Sequence, residues 1–159
     1  MVDHYARHLL LASREDADSA FRLLEERLLT YDIFPPALMK SEVCSGDGRV
    51  QPGTTIVQRV AIGPLRLEAA VRVARVWRSA DNERQEVGFM YATLRGHPER
   101  GVSTFRLRRD TVQNQITFSI DARSRPGSLL TQLARPIARR FQRNATKAAL
   151  AHFLALKEE

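Results

Sequence analysis

With 159 residues, 43% of them hydrophobic and 27% charged, the chain has the composition of one globular domain spanning 1–159 and able to bury its own core, which excludes a disordered or membrane-embedded class. A single cysteine, Cys44, rules out an intramolecular disulfide and a multi-cysteine zinc site and fits a reducing, cytoplasmic setting, with an inert thiol expected. The net charge of +7 is local: from Ala122 to Lys157 there is no Asp or Glu, while Arg123, Arg125, Arg135, Arg139, Arg140, Arg143, Lys147 and Lys157 carry essentially all of the excess.

The first segment, His4 to Ala12, reads as a strand. Its run Leu9-Leu10-Leu11-Ala12 is far too short to span a bilayer, so neither a signal peptide nor stable membrane insertion is expected. His4 and His8 would chelate a metal at helical spacing, but on a strand they stand about 13 Å apart, and no metal site is expected. Ser13 reads as a helix N-cap, with Glu15 and Asp16 in the first turn, where negative charge is favoured. Ala17, Phe21, Leu24 and Leu28 recur at helical spacing, which predicts a helix from Arg14 to Tyr31, stopped before Pro35-Pro36.

The period then changes to alternation. Leu38 to Cys44, Thr54 to Ile62 and Leu65 to Trp77 read as strands, the last two flanking the turn dipeptide Gly63-Pro64. Leu65, Leu67, Ala69, Val71 and Val73 fall on one face, with Arg66, Glu68 and Arg72 opposite. Val87-Phe89-Tyr91-Thr93, Phe105-Leu107-Arg109 and Ile116-Phe118-Ile120-Ala122 alternate likewise, as an antiparallel sheet does when one face meets the core and the other water. Ser128 to Ala134 reads as a short helical piece. A long helix follows, with Pro136 in its first turn. Its inward stripe is predicted as Ile137, Ala138, Phe141, Ala145, Ala148, Ala149, His152 and Leu156. Arg140, Arg143 and Lys147 lie opposite, together with an apolar patch of Leu150 and Leu154.

The predicted class is α+β: about seven strands in a curved antiparallel sheet around a long C-terminal helix. This order is similar to the helix-grip fold of the START and birch-pollen-allergen (Bet v 1-like) superfamily. More specifically, Gly88-Phe89-Met90-Tyr91-Ala92-Thr93-Leu94-Arg95-Gly96-His97-Pro98-Glu99-Arg100-Gly101 resembles the signature of the DUF1990 family, a domain of unknown function. Phe105, Ser124-Arg125-Pro126, Pro136 and Gln142 match further, and the resemblance covers the chain from about Arg59 onward. Two departures stand out. Val102 and Ser103 occupy positions where the family usually has carboxylates, and Arg135 stands where a glycine usually precedes the helix proline. The resemblance implies a fold and a place to look, with no activity attached.

The stretch Gly96 to Gly101 reads as a loop between strands. His97 and Glu99 either fasten that loop or, with Arg100, sit at a cavity rim and hold the polar end of a ligand. His152, on the alanine-rich stripe, reads either as a structural histidine bonded to Tyr91 or Thr93 or as a polar contact for a ligand. No nucleophile elbow, phosphate-binding glycine loop, zinc helix or dinucleotide fingerprint occurs. The favoured reading is therefore a domain without clear catalytic machinery that binds a small apolar or amphipathic ligand through Tyr91, His97, Glu99, Arg100 and His152, with no cofactor. Two alternatives stay open: an enzyme using His97 and Glu99 as acid and base, and an interaction module binding anionic partners through Arg139, Arg140, Arg143 and Lys147. Aromatic content of 7% without a stacking platform argues against nucleic acid.

Overall fold

A computed structural model describes residues 2–62, 65–126 and 135–155. In chain order the elements are β1 (Val2–Leu10), α1 (Arg14–Leu29), β2 (Met39–Cys44), β3 (Thr55–Ile62), β4 (Leu65–Ala80), β5 (Arg84–Thr93), β6 (Glu99–Asp110), β7 (Gln115–Pro126) and α2 (Arg135–Ala155). The strands form one seven-stranded sheet in the order β1-β7-β6-β5-β4-β3-β2, every neighbouring pair antiparallel. β2 to β7 thus run as a meander, and β1 closes onto β7.

The local signals act as their chemistry dictates. The Ser13 hydroxyl accepts from the Asp16 amide at 3.1 Å and caps α1, an interaction worth about 1 kcal/mol in comparable helices. Asp81 Oδ1 accepts from the Glu83 and Arg84 amides between β4 and β5. Asp110 Oδ1 accepts from the Val112 and Gln113 amides between β6 and β7, so both of these hairpins are turned by an aspartate. A bulge between Val73 and Arg75 shifts the register of β4 against β5. Beyond it Trp77 lies on the outer face opposite Gly88, donates to Glu86 at 2.8 Å, and has the Arg75 and Arg106 guanidiniums over its ring.

Alternation places Val71, Val73, Val87, Phe89, Phe105, Leu107, Ile116, Phe118 and Ile120 in the core. Three pieces cover this inner face: α1 against β6 and β7, α2 against β1, β7 and α1, and the segment after α1 through Tyr31, Ile33 and Val50. Helix α2 buries Ala145, Ala149, Leu150, Phe153 and Leu154, with the Phe153 ring 4.2 Å from that of Phe118. This corrects the predicted stripe. Leu150 and Leu154 are core residues and form no outer patch, and Phe153 is fully buried, because the buried face of the last turns is rotated away from the alanine-and-histidine line. The Gly63-Pro64 turn and the Ser128 to Ala134 piece lie outside the described residues. So do the side chains of Ile137, Ala138, Arg139 and Phe141, and Leu156.

One buried charge ties α1 to the sheet. Arg109, on the inner face of β6 and only 1% exposed, pairs with Asp18 of α1 and donates to the Arg14 carbonyl at 3.2 Å. A buried guanidinium left without its anion is costly, whereas the partly exposed carboxylate can turn to water. The Arg109 hydrogen bond holds the Asp18 carboxyl below the usual aspartate range. A depressed pKa adds stability that is present above the ordinary value of about 3.9 and disappears as the pH falls through the lower folded value. In urea unfolding, Asp18→Asn should therefore destabilise the protein at pH 7, and the gap to the wild type should narrow as the pH falls below the ordinary aspartate value of about 3.9. A gap independent of pH would show that the pair is not what holds α1.

Candidate functional site

The residues singled out by the sequence fall into four places. Tyr91 lies in the core, 8% exposed, within a cluster of rings built on Tyr31. Tyr31 follows the cap of α1 with φ +61°, and its ring centroid lies 5.9 to 6.4 Å from those of Phe34, Phe89, Tyr91 and Phe105. Gln58 Nε2 donates to its hydroxyl at 2.6 Å, and the Tyr91 ring packs beside it with centroids 6.4 Å apart. Burial, reinforced by the neighbouring Tyr91, drives the Tyr31 phenol well above its usual pKa, so it stays protonated and able to donate.

His152 is half-buried on α2, and among the described residues its Nε2 is enclosed without a hydrogen-bond partner. The bond expected to Tyr91 or Thr93 is not made. The Thr93 hydroxyl instead accepts from the Gly101 amide at 3.0 Å.

The signature segment differs from the expected loop, since β6 begins at Glu99 and takes Arg100 and Gly101 into the sheet. The turn proper is tighter, with Gly96 at φ +91° and the His97 amide donating to the Leu94 carbonyl at 3.2 Å. His97 Nδ1 accepts from the Glu99 amide at 3.0 Å and is half-buried. Gly101 is required by close approach, since a Cβ there would overlap the Arg123 carbonyl oxygen. Strand alternation then separates the predicted set. Arg100 is exposed on the face opposite Phe105 and Leu107, directly across from Arg125. With Arg95, Val102 and Arg125 it lines an open pocket of about 430 Å³. The structure therefore does not bring Arg100 together with Tyr91 and His152.

On α2, Arg140, Arg143 and Lys147 are exposed, while the side chain of Arg139 lies outside the described residues. His4 pairs with Asp121 and His8 Nδ1 lies 2.9 Å from Thr117 Oγ1, so each histidine of β1 has its own cross-strand partner. Among the described residues no group of three or more His, Cys, Asp or Glu converges, and no helix is long and apolar enough to cross a membrane. Cys44 is exposed on the edge strand β2. Sequence reasoning missed Tyr31 and Gln58. Gln58 reads as polar within an alternating strand, and a buried glutamine (4% exposed) could have signalled that it has an internal partner.

Burial holds the His97 imidazole below its ordinary value near 6.5. NMR titration of the ring should give a midpoint under 6.5, with the neutral form at pH 7 accepting the Glu99 amide; a midpoint above that value would mean that the ring is not enclosed as described.

Among solved structures, the chain is similar to the protein TTHA0849 of Thermus thermophilus, with TM-score 0.63 and 8% identity over 99% of this chain and 97% of that one. It is also similar to the hypothetical protein jhp0584 of Helicobacter pylori, with TM-score 0.62 and 6% identity over 99% and 88%. A third is norcoclaurine synthase of Thalictrum flavum in complex with dopamine and hydroxybenzaldehyde, with TM-score 0.53 and 18% identity over 100% and 88%. These likenesses are of fold. No curated protein matches the sequence. The model of one family, described as a domain of unknown function (DUF1990), matches residues 2–152, so the chain belongs to the DUF1990 family.

Proposed function

We propose that the chain works as one cytoplasmic domain that holds a small apolar or amphipathic molecule between the inner sheet face and α2, without catalysing a reaction. The observation that carries this reading is the enclosed Nε2 of His152, unpartnered among the described residues, on a helix that otherwise turns Ala145, Ala149, Leu150, Phe153 and Leu154 to the core. An unsatisfied buried polar atom costs about 1–3 kcal/mol, and the polar end of a ligand would remove that cost. The buried apolar residues of the same helix suit the body of such a molecule, since binding sites combine an apolar lining with few polar groups. Tyr91 would border the ligand through the aromatic cluster, and His97 and Glu99 would shape the end of the sheet beside it.

The fold has the capacity, because the norcoclaurine synthase structure of the same architecture holds two small aromatic molecules. Fold alone does not assign a ligand, so the reading rests on His152. The acid–base alternative is less well supported, since His97 Nδ1 is already occupied by the Glu99 backbone and fastens the turn.

Mass spectrometry of the natively purified, then denatured, protein should reveal a reproducible lipid-like species. His152→Phe, which keeps the site apolar but removes the polar contact, should lose it while retaining the wild-type circular dichroism. Release of nothing, together with no saturable uptake of a fluorescent fatty-acid probe, would overturn the reading. So would equal retention by the variant.

A further inference from the structure

The arginines at the β5–β6 end of the sheet differ from those at its centre. Arg106 and Arg108 both reach Glu86, at 3.2 and 2.8 Å, and Arg59 reaches Glu68 at 2.8 Å. By contrast, Arg95, Arg100 and Arg125 converge on one pocket of about 430 Å³ that no carboxylate of the described residues lines. Among the described residues none of the three has an ion-pair partner. Arg100 and Arg125 are directly opposite in the β6–β7 register, which places two like charges on neighbouring Cβ atoms about 5 Å apart. Such a pair opposes folding unless an anion lies between the two side chains.

The pocket supplies more than charge. Guanidiniums bind oxyanions in two-pronged fashion, and three of them approaching from two strands and a turn can contact several oxygens of one tetrahedral group. Val102 provides an apolar wall. A single carboxylate would leave two of the three charges uncompensated, whereas a phosphomonoester carries about −1.5 to −2 at pH 7.

We propose that Arg95, Arg100 and Arg125 form a binding site for the phosphate group of a small soluble phosphorylated molecule. The site lies on the face of β6 opposite the core and is therefore separate from the inner-face ligand site. It stands or falls independently of that reading.

The test is an NMR titration with inorganic phosphate at constant ionic strength, with chloride as the control. A saturable shift of the Arg95, Gly101 and Val102 amides is expected, weakened at least tenfold in Arg100→Gln and in Arg125→Gln. Phosphate should raise the melting temperature of the wild type and not of either variant. Without phosphate, each variant should be at least as stable as the wild type, because the opposed charges are relieved. The proposal is overturned if the shifts do not saturate, if chloride reproduces them, or if both variants bind as the wild type does. Sedimentation with phosphatidic acid vesicles in the absence of any inorganic phosphate binding would also overturn it, in favour of a membrane surface.

Discussion

The burial of Tyr31 is the constraint on which the arrangement of the inner face depends. Its φ of +61° places a residue with a large side chain in the left-handed region, at a cost of about 1–2 kcal/mol. Enclosing the ring contributes about 1.5–3 kcal/mol, and its aromatic neighbours contribute more, so packing wins. The reversal ends α1 and turns the chain under the sheet. The Arg27 to Asp32 ion pair and the bond from the Val50 amide to the Leu29 carbonyl at 2.7 Å then fix the path of the segment that follows. Phe34 packs on the same rings, and the Gln58 amide gives the buried Tyr31 hydroxyl a partner.

That closure divides the inner face. Under β3 to β6 the described interior is filled with aromatic rings, and Tyr91 is held by its neighbours. Toward β1 and β7, where α2 packs, His152 presents a polar atom with no partner among the described residues. The histidine, rather than the tyrosine, is thus where a ligand would make its polar contact. On the other side of the sheet, the same signature sequence delivers Arg95 and Arg100 to a different pocket, because successive residues of a strand point to opposite faces. One motif therefore contributes to two environments of opposite character, one apolar and one cationic.

Much of the fold was legible because it rests on period and capping. The alternation of Val71 and Val73, of Phe105 and Leu107, and of Phe118 and Ile120 marks the core face, and Ser13 marks the start of α1. Strand ends were less legible: β6 extends back to Glu99 because pairing with β7 continues through Arg100 and Gly101, and local turn chemistry says nothing of that long-range register. The face of α2 was misassigned around Leu150, Phe153 and Leu154, since an alanine-rich helix offers two comparably apolar sides and only tertiary packing selects between them. For the candidate site, the sequence offers candidate residues but not their geometry. His97, Glu99 and Arg100 are adjacent in sequence, yet the strand splits them, and the partners Tyr31 and Arg125 come from elsewhere in the chain.

The central claim is that the protein carries two independent sites, an apolar one beside His152 and a cationic one at Arg100 and Arg125. Competition followed by NMR on a single sample tests it most directly, with a fatty-acid probe added to protein already saturated with inorganic phosphate. The account predicts two disjoint sets of shifts, one at the His152 ring and the core-facing residues of α2 and the other at Arg95, Gly101 and Val102, with neither ligand displacing the other. Mutual displacement, or a shared set of shifted residues, would contradict it.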